Sequence, residues 1–224
     1  TDADSNVAVG FEALTVNTLG SKSVAIGQGS LSDQNPDDAQ DMFNTAVGFN
    51  AGASVTTGKN NTLVGASSGD AVTDGTFNTF VGKEAGGALS TGDYNTFIGT
   101  GTISGTGNFG SGSLMTTGNK NTILGGYNGN QSSLDLRTAS NNIVLSDGDG
   151  VPRIFVNSGG TTQLGSVDQF AGDTLSITGK VFSGVSFAMA VRGSNTNNNV
   201  MRIFHASSQV GGITFTSSAT SFVP

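Results

Sequence analysis

The chain has 224 residues, 35 of them Gly, with no Cys, no Trp, 11% charged side chains and a net charge of −7. Disulfides and Cys-bearing zinc sites are excluded, and an acidic chain without a Lys/Arg cluster argues against nucleic acid or an anionic membrane surface as partner. Low charge with many β-branched residues does not fit disorder, and no apolar run approaches the roughly 20 residues of a membrane-spanning helix.

The chain opens at Thr1 without Met or signal peptide, which reads as a piece of something longer. From Asn6 a five-residue phrase recurs: "NVAVG", "SVAIG" (from Ser23), "NTAVG" (Asn44), "NTLVG" (Asn61), "NTFVG" (Asn78), "NTFIG" (Asn95), "NTILG" (Asn121) and a decayed "NIVLS" (Asn142). The spacings are 17, 21, 17, 17, 17, 26 and 21, a base period of 17 with extra residues in three coils. Gly stands three residues before the phrase at Gly20, Gly58, Gly75, Gly92 and Gly118. Such a unit is too short for paired helices, and Gly and Asn interrupt helical periodicity. A β-branched phrase bounded by Asn and Gly reads as a strand with turns that favour positive φ. Stacked at about 4.8 Å, eight such coils make a parallel β-solenoid or β-roll roughly 40 Å long over residues 1–146.

Within each phrase, positions two and four share one face and position three opposes them. Position four (Val9, Ile26, Val47, Val64, Val81, Ile98, Leu124, Leu145) suits the interior of a coil. Position three grows from Ala to Phe along the chain and is never polar. With position four inside, position three points outward and needs a cover. The expected cover is further copies of the chain around a symmetry axis, with Ala46, Leu63, Phe80, Phe97 and Ile123 at a homotrimer interface and the growth tracking a widening gap. The alternative is another part of the same chain. A Thr column at position two (Thr45, Thr62, Thr79, Thr96, Thr122) resembles an ice-binding ladder, but is expected to share the buried face of position four.

After Ser146 the pattern changes. Residues 147–172 read as a transition segment with a strand at Arg153–Asn157. Residues 173–224 read as a small antiparallel β domain with a turn near Ser207–Ser208. The fold class is all-β.

The Gly-x-x-Asn-Thr-x-Val-Gly repeat resembles the β-rolls of trimeric autotransporter adhesin heads, and still more the repeat regions of bacteriophage tail-fibre and tailspike proteins. "SDGDGVPRIFVNSGG" and "NVMRIFHASSQVGGITFTSSATSF" are similar to segments upstream of the intramolecular-chaperone domain of such fibres, which drives trimerisation and then cuts itself off. The resemblance implies a non-enzymatic, homotrimeric, receptor-binding segment of a virion tail. Its partners would be other tail components and a host surface glycan or outer-membrane protein. A bacterial adhesin head and a glycan-degrading spike are the alternatives. The end at Pro224 fits self-cleavage or truncation equally.

Glycan cleavage needs two carboxylates about 5–9 Å apart. The only Glu residues, Glu12 and Glu84, lie about four coils apart, too far at about 4.8 Å per coil, so no catalytic residue is expected. Residues 32–43 and 100–117 are expected to leave the stack as recognition loops, with Asp33, Asn35, Asp37, Asp38, Asp41, Asn108 and Phe109 as candidates. Asp33, Asp37, Asp38 and Asp41 could offer oxygens to Ca²⁺, though their spacing matches no EF-hand. "SDGDG" (146–150) is a weaker calcium candidate, and His205, the only His, reads as a packing residue.

Overall fold

The computed structural model describes residues 3–103, 107–164, 199–205, 208–216 and 219–223. The chain divides into two units, 1–175 and 176–224. In the first, eight short strands form the rungs of one sheet: Val7–Val9, Val24–Ile26, Thr45–Val47, Thr62–Val64, Thr79–Val81, Thr96–Ile98, Thr122–Leu124 and Ile143–Ser146. Each rung pairs in parallel with the next, and like phrase positions face each other: Thr62 on Thr79, Leu63 on Phe80, Val64 on Val81. This is the parallel β-solenoid of about eight coils that the 17-residue period predicts.

A buried amide ladder fixes the coils. Asn78 Oδ1 accepts the Asn95 backbone N–H at 3.0 Å and its Nδ2 at 3.2 Å, while Asn78 Nδ2 donates to the Gly92 carbonyl at 2.8 Å. The same pattern recurs at Asn44, Asn61, Asn95 and Asn121. Gly20, Gly58, Gly75, Gly92 and Gly118, three residues before their phrases, therefore supply the acceptor for the Asn one coil earlier, and Ala139 takes that role for Asn121. The Gly that ends the phrase has a different task. At Gly65, φ is +135° and a Cβ would lie 2.4 Å from the Gly82 carbonyl oxygen, so successive backbones touch there and only Gly fits.

The ladder also decides which face is inside, and it corrects the expected interface. Asn at position one points inward, so by alternation position three is inward and positions two and four are outward. Ala46, Leu63, Phe80, Phe97 and Ile123 are buried in their own coils, with Ala25 and Val144 continuing the row. They cannot face a second copy. Val55, Val72, Leu89 and Met115 complete the core from the opposite wall. The change from Ala to Phe is answered inside the coil. Where position three is Ala25, the residue six further on is Leu31; where it is Leu63, Phe80 or Phe97, the corner that packs against it is Gly69, Gly86 or Gly112. The third coil is small on both walls, with Ala46 and Gly52, and Leu31 and Leu63 of the adjacent coils reach into that place, so the interior stays filled, as close packing requires.

The long coils depart from the stack in fewer residues than expected. Asn35 N–H still bonds Thr56 O in the regular coil pattern, and Gln40–Asp41 pairs in parallel with Gly20–Ser21. Only residues 36–39 lie outside the repeat. The longest coil raises an antiparallel hairpin from Thr100–Ile103 and Gly107–Gly110, and Ser111 rejoins the coil by bonding Gly99 O. The last long coil carries the small hairpin Asn130–Gln131 with Leu134–Asp135.

The sheet continues past Ser146. Ile143–Ser146 pairs antiparallel with Pro152–Val156, which pairs antiparallel with Thr162–Leu164. Much of the expected transition segment thus extends the main sheet. In the second unit, Asn199–His205, Ser208–Thr216 and Ala219–Val223 form an antiparallel three-stranded sheet, as predicted. The strands expected in 173–198 and most of the turn near Ser207 lie outside the described residues.

Candidate functional surfaces

Two outward features stand out on the solenoid. The first is the outer face of the rung sheet. Position four presents Val9, Ile26, Val47, Val64, Val81, Ile98, Leu124 and Leu145, each exposed or half-buried, with Val9 at 56% and Ile98 at 40% exposure. Position two runs beside it as Thr45, Thr62, Thr79, Thr96 and Thr122, with Val7 and Val24 at one end and Ile143 at the other. The Thr column is outward, so burial does not separate it from ice-binding faces; its neighbouring column of Val, Ile and Leu, in place of a second Thr column, does. An apolar stripe on a parallel sheet is unusual, because such sheets are ordinarily covered on both faces.

The second feature is a corner column one residue before each phrase. Ser5, Lys22, Phe43, Asn60, Phe77, Tyr94, Lys120 and Asn141 all have φ between +53° and +62°. Phe77 and Tyr94 stack with centroids 5.0 Å apart and planes 2° from parallel. Lys22 sits over the Phe43 ring at 5.4 Å and pairs with Asp41 at 2.7 Å. Next to Tyr94 opens a shallow pocket of about 430 Å³ lined by Asp93, Tyr94, Asn119, Lys120, Ser140 and Asn141.

The candidate recognition residues are scattered. Asp33 and Asn35 lie on the coil itself; Asn35 Oδ1 accepts the Thr18 N–H and hydroxyl. Asp37 and Asp38 are exposed in the four-residue excursion. Asp41 is committed to Lys22. The four aspartates do not make a calcium cage, and among the described residues no three His, Cys, Asp or Glu side chains gather closely enough to hold a metal. In "SDGDG", Asp147 accepts the Asp149 and Val151 N–H groups and pairs with Arg153, so its carboxylate closes a turn. Asn108 and Phe109 fall on the second strand of the Thr100–Gly110 hairpin, and His205 ends the strand Asn199–His205.

Sequence reasoning missed one carboxylate neighbour. Asp70 is half-buried one coil from Glu84; burial raises its pKa, against hydrogen bonds from backbone and Ser67, and the Glu84 charge adds to the rise. Glu84 is itself held by Lys83. Sequence reasoning also missed the aromatic corner. Its signal was present: Phe, Phe and Tyr stand one residue before the Asn of three phrases.

Among the described residues no helix is long and apolar enough to cross a membrane. Compared with known proteins, the chain matches no family model, no curated protein and no solved structure.

Proposed function

We propose that this chain is a non-enzymatic segment of a homotrimeric phage tail fibre or spike that serves host attachment. The observation that carries the reading is the outward column at position four, which is Val, Ile or Leu in all eight rungs. A continuous apolar stripe that follows the stack is best covered by like stripes from copies of the same chain, closing around an axis. A stack of coils tied by a buried ladder is a stiff rod, as an attachment fibre needs. The resemblance of the repeat to tail-fibre repeats gives the virion setting, other tail components and a host surface glycan or outer-membrane protein as partners.

The test is the particle mass of the purified chain in solution, together with decoration of a panel of bacterial strains by the labelled protein. The expected mass is three times the 22.4 kDa of the chain, with a subset of strains decorated. A particle of one chain overturns the trimer, and failure to decorate any strain overturns attachment. A bacterial adhesin head would share the trimer and bind host tissue in place of bacteria.

A further inference from the structure

We propose that the corner around Tyr94 is a glycan-binding site, in which a pyranose unit rests against the aromatic pair and its hydroxyls reach the adjoining polar pocket. The proposal rests on the attachment reading only for its biological setting.

The first observation is a backbone choice that is compensated only in part. All eight residues of the corner column are in the left-handed region, which Asn tolerates and bulky side chains do not. Asn60 and Asn141 show what the corner accepts cheaply. Phe77 and Tyr94 occupy the same conformation at φ +58°, yet remain 49% and 54% exposed. The stack between them recovers part of the cost. About half of each ring residue stays open to solvent, and unfavourable conformations retained at a surface are a mark of function.

The second observation is the pocket beside Tyr94, independent of the backbone argument. Its framework is built. Asp93 Oδ1 accepts the Thr76 N–H at 2.7 Å and the Thr76 hydroxyl at 3.0 Å. The Asp93 N–H donates to Asn119 Oδ1 at 2.7 Å, and the Asn119 N–H donates to the Ser140 hydroxyl at 2.9 Å. These bonds fix the Asp93, Asn119 and Ser140 side chains before any ligand arrives, which lowers the ordering cost of binding. The lining combines a flat ring with a carboxylate, two amides, a hydroxyl and an ammonium. A ring edge and face suit the C–H surface of a sugar, while amides and carboxylates suit its hydroxyls in both donor and acceptor roles. A peptide or lipid would want a deeper apolar cleft than this open one. Carboxylate and ammonium together favour a polyhydroxylated ligand over a simple anion.

The site can be read through its own chromophore. The chain has no Trp and two Tyr; Tyr127 is buried and Tyr94 is exposed. Wild-type protein is titrated with purified bacterial O-chain and capsular polysaccharides while tyrosine emission is recorded, and each polysaccharide is also immobilised for direct binding. Two variants accompany it. Tyr94→Asn places in this corner the residue that two other coils already use, so the fold is retained. Phe43→Asn removes an exposed ring away from the pocket. We expect at least one polysaccharide to perturb wild-type emission and bind, with at least a tenfold loss for Tyr94→Asn and none for Phe43→Asn. Equal binding by wild type and Tyr94→Asn overturns the site. If wild-type protein decorates bacteria but binds none of the polysaccharides, this inference fails and attachment stands. If it binds a polysaccharide through Tyr94 but decorates no strain, the site stands and attachment fails.

Discussion

Phe80 and Gly86 share one cell of the solenoid interior: a Cβ on Gly86 would lie 2.5 Å from Phe80 Cε2 and 2.6 Å from Cδ2. In the second coil the corresponding places hold Ala25 and Leu31, both fully buried. Volume has moved from one wall to the other. Phe80→Ala alone should cost about 3–5 kcal/mol. Gly86→Leu alone should cost at least ~3 kcal/mol, from overpacking and from a side chain at φ +64°. The double variant Phe80→Ala/Gly86→Leu recreates the second coil and should recover at least ~2 kcal/mol of the summed loss. Denaturant midpoints of the four proteins decide it; strict additivity would refute the exchange of volume.

Ser23 interrupts the Asn ladder, and Gln34 mends it. Gln34 Oε1 accepts the Ser23 hydroxyl at 3.1 Å and Asn44 Nδ2 at 2.9 Å, standing where a ladder Asn would place its own oxygen. The regular coils hold Val55 or Val72 at the place of Gln34. Gln34→Val alone leaves one Asn44 amide N–H and the Ser23 hydroxyl without this acceptor, while the Gly58 carbonyl keeps the other amide N–H, and should cost about 1–3 kcal/mol. Ser23→Asn/Gln34→Val restores the ladder and removes the buried Gln34 Nε2, which has no hydrogen-bond partner. The double variant should melt at or above the wild-type temperature. A double variant that melts no higher than Gln34→Val would show that the substitution of one amide for the other is incidental.

The architecture was legible in the sequence because the 17-residue period and the Gly and Asn corners each impose one local geometry. The inner face was misread because apolar character alone cannot assign it: positions three and four are both apolar, and Val is as plausible inside as Phe. The deciding signal was position one. Asn61, Asn78, Asn95 and Asn121 are fully or almost fully buried, and an Asn that recurs in seven of the eight phrases, mostly with a Gly three residues before it, is a ladder residue that points inward. From there alternation places Phe80 inside and Val81 outside. The excursions were overdrawn for a related reason. Composition marks residues 32–43 as a loop, yet Gln34 and Met42 are fully buried, and only 36–39 exceed the period.

Tyr127 makes the solenoid sensitive to alkaline pH. Its ring is fully buried and its hydroxyl donates to the Leu134 carbonyl at 2.8 Å. Burial, with the Asp135 charge adding to it, pushes its pKa well above the ordinary tyrosine value. A raised pKa means that the folded chain keeps the proton where the unfolded chain has lost it. The stability from this group is intact below pH ~10 and falls as pH rises above that value, by up to about 1.4 kcal/mol per pH unit. Tyr127→Phe removes this slope at the cost of the hydrogen bond. Stability measured from pH 9 to 11.5 should fall more steeply in wild type than in Tyr127→Phe; parallel curves would show that Tyr127 does not carry the effect.

Val64 and Val81 lie side by side on the outer face of adjacent rungs, and they separate assembly from folding. Their side chains contribute nothing to the coil interior, which Leu63 and Phe80 fill. Val64→Lys/Val81→Lys puts two ammonium groups on the stripe that copies of the chain are proposed to share. Burial of unpaired charge at such an interface costs several kcal/mol per site. The particle mass should fall from three chains to one, while the far-ultraviolet spectrum stays that of the β-fold. Phe80→Asp should instead unfold the coil, because that charge enters the chain's own core. If the double lysine variant sediments at the wild-type mass, the rung face is not where copies meet.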